Sequence, residues 1–464
     1  VQRGSAFLRP LTNFPLQLSG NFDRQTSPTV LDSLVIVQNA SGAVFVNGVR
    51  LASFFSRLKP AARSDVILGA SGDTLMAFLR ATSQVLQRRF SAPITALNIE
   101  SATSPEARCR IGTAAGTIFR GVISSDGIRI LDSVQLSSRP IVSLTETLQV
   151  AEDVAQFGTT RWTFGQSPAK AAAATGLSRG WIGAVILRDN TLLFLREGGE
   201  TLRLAVPAQA PIQASPVFAD LEHRGELAVL VTADDKIFAY TPDGIPVTNF
   251  PIRTFSAKPL AGSPIVADLD GDTFEDLILH TTDGRLLSYN RRGELLFATA
   301  IAEDTETTPA VSLSPDGARL WLHSIDRNGF LQGFELPRSS ANVAWFSLYA
   351  NPRNSNTLQT QRTPNWQPVT ISEFFPAQSV YNYPNPAREQ THFRFFLREN
   401  TRVTIQVFSL TGKKVWEQTV DGRGGTNNEV TWNLADVQSG IYYAVLTPLN
   451  RESESVRLKV AVVK

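Results

Sequence analysis

Cysteine is nearly missing from this chain. Its 464 residues hold one, Cys109, so no intrachain disulfide can staple the fold and stability has to come from burial. Cys109 lies in a strand-like run with Ile111, which reads as a buried, inert thiol. Histidine occurs four times, at His223, His280, His323 and His392, and no two stand at the spacing of a metal pair or of a His-Glu-x-x-His helix; surface or turn positions are expected for them. An excess of charge is also lacking. Forty-four Lys and Arg against 42 Asp and Glu leave a net +2, which gives no electrostatic ground for nucleic acid or an anionic membrane as partner. The Arg108-Cys-Arg110 and Arg291-Arg292 pairs are too short to change that. No run approaches the ~20 apolar residues that cross a bilayer as a helix. Nor is there a nucleophile elbow or a glycine loop that leaves a strand to open a helix; Gly198-Gly199 and Gly422-Arg-Gly-Gly425 read as hairpin turns. The chain begins at Val1 without an initiator methionine or signal peptide, as a processed or truncated product would.

What the chain does have is Asp268-Leu-Asp270-Gly271-Asp272-Thr-Phe274-Glu-Asp276. Carboxylates at relative positions 1, 3, 5 and 9, with a glycine at position 4, let one tight loop aim several oxygens at one centre. Ca²⁺ takes about six to eight oxygens. Asp268, Asp270, Asp272 and Asp276 are the expected side-chain ligands, and the Phe274 carbonyl the expected backbone one. Gly271 supplies the positive φ of the bend. An EF-hand is excluded, because Leu279 stands where its twelfth-position glutamate belongs and strand patterns flank the loop. The bland alternative is a solvated acidic turn.

This loop belongs to a repeat. Ser263-Pro264-Ile-Val-Ala-Asp268 is matched by Ser215-Pro216-Val-Phe-Ala-Asp220, each followed by an apolar strand, a turn and an aromatic strand. Weaker copies run from Ser27-Pro28 to Val46, Asp65 to Phe78, Ile94 to Phe119, Trp181 to Phe194 and Thr308-Pro309 to Phe330, with a degraded one at Ile141 to Trp162. A spacing of about 30–50 residues is that of four-stranded propeller blades. The expected fold is all-β: a seven- or eight-bladed β-propeller over residues 1–340, a linker over 341–379, and a small immunoglobulin-like sandwich over 380–464. The blades resemble the FG-GAP (VCBS-like) repeats of secreted and integrin-type propellers over roughly residues 10–350, and only the 264–293 copy keeps the full calcium motif. In the 216–243 copy Arg224 falls where a third carboxylate should be, and its guanidinium is expected to replace the ion by pairing with Asp220 or Glu222.

Residues 338–380 turn polar and proline-bearing, as a linker does. Trp345-Phe-Ser-Leu-Tyr349 just inside it reads as an apolar plug pinning the last blade, with a sugar-stacking aromatic as the alternative. Period-two alternation then returns, most plainly in Val403-Thr-Ile405-Gln-Val407. Six or seven short strands in the remainder describe a sandwich. Tyr383-Pro384-Asn385-Pro386, Phe408-Ser-Leu-Thr-Gly412, Leu434 to Tyr442 and the closing Lys459-Val-Ala-Val-Val-Lys464 resemble the C-terminal sorting domain of type IX secretion. That resemblance implies a Gram-negative bacterium of the Bacteroidota–Chlorobiota kind, export across the outer membrane, and an extracellular or outer-membrane surface location. The last strand is expected to be an edge open to pairing with a partner.

The leading expectation is therefore an exported, non-enzymatic binding or scaffold protein. Its calcium-stabilised propeller would meet a protein or glycan at the cell surface, in a multi-subunit assembly or filament. The rival is an extracellular hydrolase or lyase acting on polysaccharide, or the C-terminal portion of one, for which Asp234-Asp235 and Glu303-Asp304 are the available loop acids.

Overall fold

Alternating side chains and glycine-bearing turns every few residues favour hairpins over long-range pairing. The computed structural model accordingly builds the first three quarters of the chain from consecutive antiparallel sheets. It describes residues 8–464 except 101–105, 166–167, 178–179, 197, 222–226, 255, 273, 301–303, 338, 340–342, 359–373, 376, 378–379, 384 and 425. Among the described residues helical structure is confined to short 3₁₀ turns such as Arg24–Thr26 and Glu452–Glu454.

Eight sheets make the ring. Blade 1 spans Thr29 to Phe55, blade 2 Ala61 to Arg89, blade 3 Ile94 to Gln135, blade 4 Ile141 to Thr163, blade 5 Pro168 to Ala205, blade 6 Val217 to Arg253 and blade 7 Leu260 to Ala300. Blade 8 takes three strands from Ala310 to Leu336 and its fourth from the other end of the chain, where Arg9 and Pro10 pair with Glu335 and Phe334. The degraded copy at Ile141 is thus a true blade, and the described residues form eight. The first strand of each sheet is the inner one. Leu260–Ala267 is buried almost throughout, whereas the outer strand Gly127–Gln135 is mostly exposed. Contacts run between successive inner strands from blade 1 to blade 7, that of blade 1 meets that of blade 8, and blades 7 and 8 share one apolar cluster, closing the circle. Apolar residues between blades supply the core, as where Ile265, Leu269 and Ile278 of blade 7 meet Val311, Leu320 and Leu322 of blade 8.

The Ser-Pro and Thr-Pro repeats have a physical reason. The Ser263 hydroxyl accepts the Ser215 N–H at 2.9 Å and donates to the Ser215 carbonyl at 3.0 Å. Thr308 Oγ1 in turn accepts the Ser263 N–H at 3.1 Å, and Ser27 Oγ accepts the Thr308 N–H at 2.9 Å. Each hydroxyl satisfies a buried backbone donor of the preceding blade, which an unpaired strand edge would leave costly. The chain of bonds crosses the closure from blade 8 to blade 1. Gly262, at φ +71°, permits this approach, since a Cβ there would sit 2.2 Å from Thr308 Oγ1.

The expected linker does not begin at 341. Val343–Trp345 forms a further strand on the inner edge of blade 7, with Trp345 opposite Val266 and Val343 opposite Ala267. The chain then hands backbone carbonyls to one blade after another: Phe346 to the Val311 N–H of blade 8 (2.8 Å), Pro352 to Ala62 of blade 2 (2.7 Å) and Arg353 to Ile99 of blade 3 (2.9 Å). Thr357 Oγ1 accepts the Glu146 N–H of blade 4 at 3.1 Å. So short a segment can reach inner strands all round the ring only from its centre, so residues 343–357 lie at the channel, largely against the C-terminal ends of the inner strands. Trp345 is fully buried, which removes it as a sugar-stacking surface and makes it the apolar plug.

The C-terminal module is a sandwich of two antiparallel sheets, immunoglobulin-like in kind. One has three strands, Tyr381–Tyr383, Gln390–Leu397 and Thr426–Asn433. The other has four, in the order Lys414–Gly422, Thr401–Ser409, Gly440–Pro448, Val456–Val462. Val403, Ile405 and Val407, the alternating set read from the sequence, are fully buried against Phe393, Phe395 and Trp432.

Candidate functional site

The acidic loop joins the first two strands of blade 7, Leu260–Ala267 and Asp276–Thr281. Its shape follows from aspartates bonding their own backbone, the habit that favours this residue in turns. Asp268 accepts the Gly271 N–H at 2.7 Å, Asp270 the Asp272 N–H at 3.1 Å and Asp272 the Phe274 N–H at 2.9 Å. Asp276 accepts the Leu269 N–H at 3.0 Å. Gly271 takes φ +82° at the bend.

The result is a gathering of three. One carboxylate oxygen each of Asp268, Asp270 and Asp276 lies within 4.8 Å of the others, and Asp268 and Asp276 are buried. Burial pushes the Asp276 carboxyl up to about 8; the Leu269 N–H opposes this, and the neighbouring aspartates add to it. Burial, then Asp272, also raises Asp270. Bringing acids together in a desolvated place is unfavourable without a positive charge. The hard oxygens fit a divalent cation such as Ca²⁺, which would supply charge compensation and join the two strand ends. Asp272 stands outside this group. Its Oδ2 lies 3.5 Å from Arg291 Nη1, and the Arg291 guanidinium lies 3.4 Å from the centroid of the Phe274 ring.

In blade 6 the counterpart residues Glu222, His223, Arg224 and Glu226 lie outside the described residues. Asp220 is described, and its N–H donates to Glu275 Oε2 at 3.0 Å. Glu275, a loop residue that the motif reading passed over, thus braces one blade's loop against the next.

Three of the histidines, His280, His323 and His392, overturn the expectation of surface positions. His280 and His323 are buried, because the second strands that carry them face neighbouring blades. His280 Nδ1–H donates to the Thr307 carbonyl at 2.9 Å, which leaves Nε2 to accept the Ser324 hydroxyl at 2.9 Å. Burial holds the ring down to about 4. With no opening to solvent, this Ser–His pair braces blade 7 to blade 8. His323, pushed down to about 3 by burial, lies 5.2 Å from the Phe14 ring. His392 belongs to the sandwich and contacts Thr431 Oγ1 at 2.9 Å. Of the loop acids, Asp234 accepts the Gln209 N–H at 2.8 Å in a positive-φ turn, and Glu303 lies outside the described residues. Cys109 is buried, its thiol pushed up to about 12 by burial.

Sequence reasoning also missed Lys59. It is buried beside the channel segment, where its ammonium donates to Asn354 Oδ1 at 2.9 Å and lies 5.9 Å from the Tyr349 ring centroid. Asn354 Nδ2 returns a bond to the Lys59 carbonyl at 2.9 Å. A Lys-Pro pair ordinarily marks an exposed turn, so no local signal pointed inward.

In the sandwich, the sequence motifs converge. The Asn385 amide donates to the Lys459 carbonyl at 2.9 Å and accepts the Ala461 N–H at 2.8 Å, while Ala387 bonds both Ala461 and Val463 along the same edge. Lys464 reaches back to Ser439 Oγ and to the carbonyls of Leu434 and Ala435. This corrects the expectation of an open last strand: its edge from Lys459 to Val463 is covered, because one asparagine side chain imitates a neighbouring backbone. Asn385→Ala is expected to cost about 1–2 kcal/mol, read as faster hydrogen exchange at Val460 to Val462 with little change in the ring.

Residues 381–461 match the family model described as the secretion system C-terminal sorting domain. The C-terminal module is a type IX sorting domain. It marks a secreted or cell-surface protein and implies an encounter with the secretion machinery. For the ring, Sqt1 of Saccharomyces cerevisiae is similar at 13% identity with a TM-score of 0.52, over 70% of this chain and 100% of that one. The computationally designed Ika8 protein is similar at 14% identity and a TM-score of 0.50, over 69% and 98%. Identities this low speak for the β-propeller fold alone. No curated protein matches the chain. Among the described residues, no helix is long and apolar enough to cross a membrane.

Proposed function

We propose that the protein is an exported, non-enzymatic binding or scaffold protein whose propeller meets a protein or glycan partner outside the cell. The observation that carries this reading is the union, in one chain, of a closed eight-bladed ring and a sorting domain. Residues 343–357 lie at the channel, so a partner has the two faces and the outer strands to work with. Polar groups that could serve catalysis are otherwise engaged, Asp234 in a turn and His280 between blades. Deleting residues 380–464 in a type IX-competent host is expected to keep the ring inside the cell envelope while the full chain reaches the surface or medium. Export of the shortened chain would overturn the sorting half of the reading. The binding half predicts no turnover of polysaccharides or peptides; activity lost on changing a loop acid would favour the hydrolase or lyase instead.

Within the ring, blades of FG-GAP kind would be stabilised by Ca²⁺ held by Asp268, Asp270 and Asp276, with the Phe274 carbonyl as backbone ligand. Support comes from the three gathered carboxylates and from the burial that raises Asp276. Asp270→Ala is expected to abolish the calcium-dependent rise in Tm and to leave Tm in chelator little changed. An equal loss in both conditions would remove the calcium role.

A further inference from the structure

Asp272 has the right place in the loop and the wrong neighbour. Its carboxylate faces Arg291, 3.5 Å away, while the carboxylates of Asp268, Asp270 and Asp276 face one another. Arg291 comes from the turn between the third and fourth strands of blade 7, after Tyr289 and before Leu295. That turn is well fixed. Asn290 Oδ1 accepts the N–H groups of Arg292 and Glu294, each at 3.0 Å, and its Nδ2 donates to Glu294 at 2.8 Å. The guanidinium carbon sits 3.4 Å from the centroid of the Phe274 ring and the arginine side chain is only 11% exposed, whereas that of Asp272 is 43% exposed. A cation resting on an aromatic face is held in position without needing Asp272. The long ion pair at the surface is weak. It is therefore easily exchanged.

We propose that Arg291 is an internal counter-ion that competes with a bound divalent cation for Asp272. This inference rests on the calcium reading above. Arg291 draws Asp272 away from the other three carboxylates; an ion must win Asp272 from it to gain a fourth carboxylate. Arg291 thereby sets the calcium concentration at which the loop fills, shifting it upward. That direction suits an exported protein, since extracellular modules bind calcium at about 10⁻⁴–10⁻³ M, well above intracellular sensors.

The test is calorimetric titration of the full chain with CaCl₂, in wild type, Arg291→Gln, Asp272→Asn and the double variant. Arg291→Gln is expected to bind calcium about two- to fivefold tighter, the range that an exposed ion pair commands. In the Asp272→Asn background the same change is expected to have no effect, because the contested group is gone. An equal gain in both backgrounds would assign the effect to the loss of a nearby charge and overturn the competition. Weaker binding by Arg291→Gln would make Arg291 a support for Phe274 and overturn it equally. Arg291→Met, which keeps apolar contact with the Phe274 ring, should reproduce the gain if packing is not the cause. No calcium uptake by the wild type overturns the calcium reading itself, an outcome distinct from the others.

Discussion

Trp345→Ala is expected to lower the stability of the ring by about 3–5 kcal/mol, the range for deleting a fully buried large aromatic. Trp345 is completely enclosed and lies on the strand that extends the inner edge of blade 7. Among the described residues its indole N–H has no hydrogen-bond partner, so the loss is one of filled volume. The residues that follow it hold blades 8, 2, 3 and 4 through their carbonyls and Thr357. A cavity at the root of that segment loosens attachments on the far side of the ring as well. Urea denaturation should report a lower midpoint, and Leu410→Ala, at a residue 68% exposed, should serve as a nearly silent control. A loss below about 1 kcal/mol would mean that the channel segment is an ornament of the ring.

Lys59→Met is expected to abolish a pH dependence that the wild type carries. Burial lowers the Lys59 amine from 10.5 to about 7. In the unfolded chain the amine returns to its ordinary value. Between pH 7 and 10.5 the unfolded state thus holds a proton that the folded state lacks, and stability rises with pH across that window. Below pH 7 both states carry the proton, and burying that charge costs on the order of 5 kcal/mol. Asn354 and the Tyr349 ring soften that cost by contacting the ammonium. Methionine matches the stem and removes the charge, so the difference between wild type and variant should be largest near pH 7 and small near pH 10.5. A variant that keeps the wild-type slope would place the titrating group elsewhere.

The extent to which these features could be read from residues alone depends on how local their causes are. The acid loop was legible because its shape comes from aspartates bonding backbone within a few positions, as Asp268 does with Gly271. The Ser-Pro and Thr-Pro marks were legible as a repeat, although their inter-blade bonds were not. Blade 4 was faint because its strands are short, Gln149–Ala151 having three residues. The channel segment escaped notice because its grip is made by main-chain carbonyls at Pro352 and Arg353, which every sequence offers. Arg291 was read only as a poor nucleic-acid patch, since its meaning depends on a partner in another turn of the blade. In the sandwich, motif spacing led to the sorting domain. That Asn385 completes an edge could not be seen until its amide was placed beside Ala461.

The pairing of Arg9 with Glu335 has a consequence for timing. A polypeptide emerging from the ribosome can zip each of the first seven hairpin stacks as it appears, yet the eighth must wait for its own beginning to be recaptured by a stretch made much later. Joining ends so distant is entropically slow. Until it happens, two sheet edges remain raw and adhesive. Whatever accompanies this protein on its way out of the cell therefore meets either an unsealed circle that needs shielding or a finished one that needs a wide door.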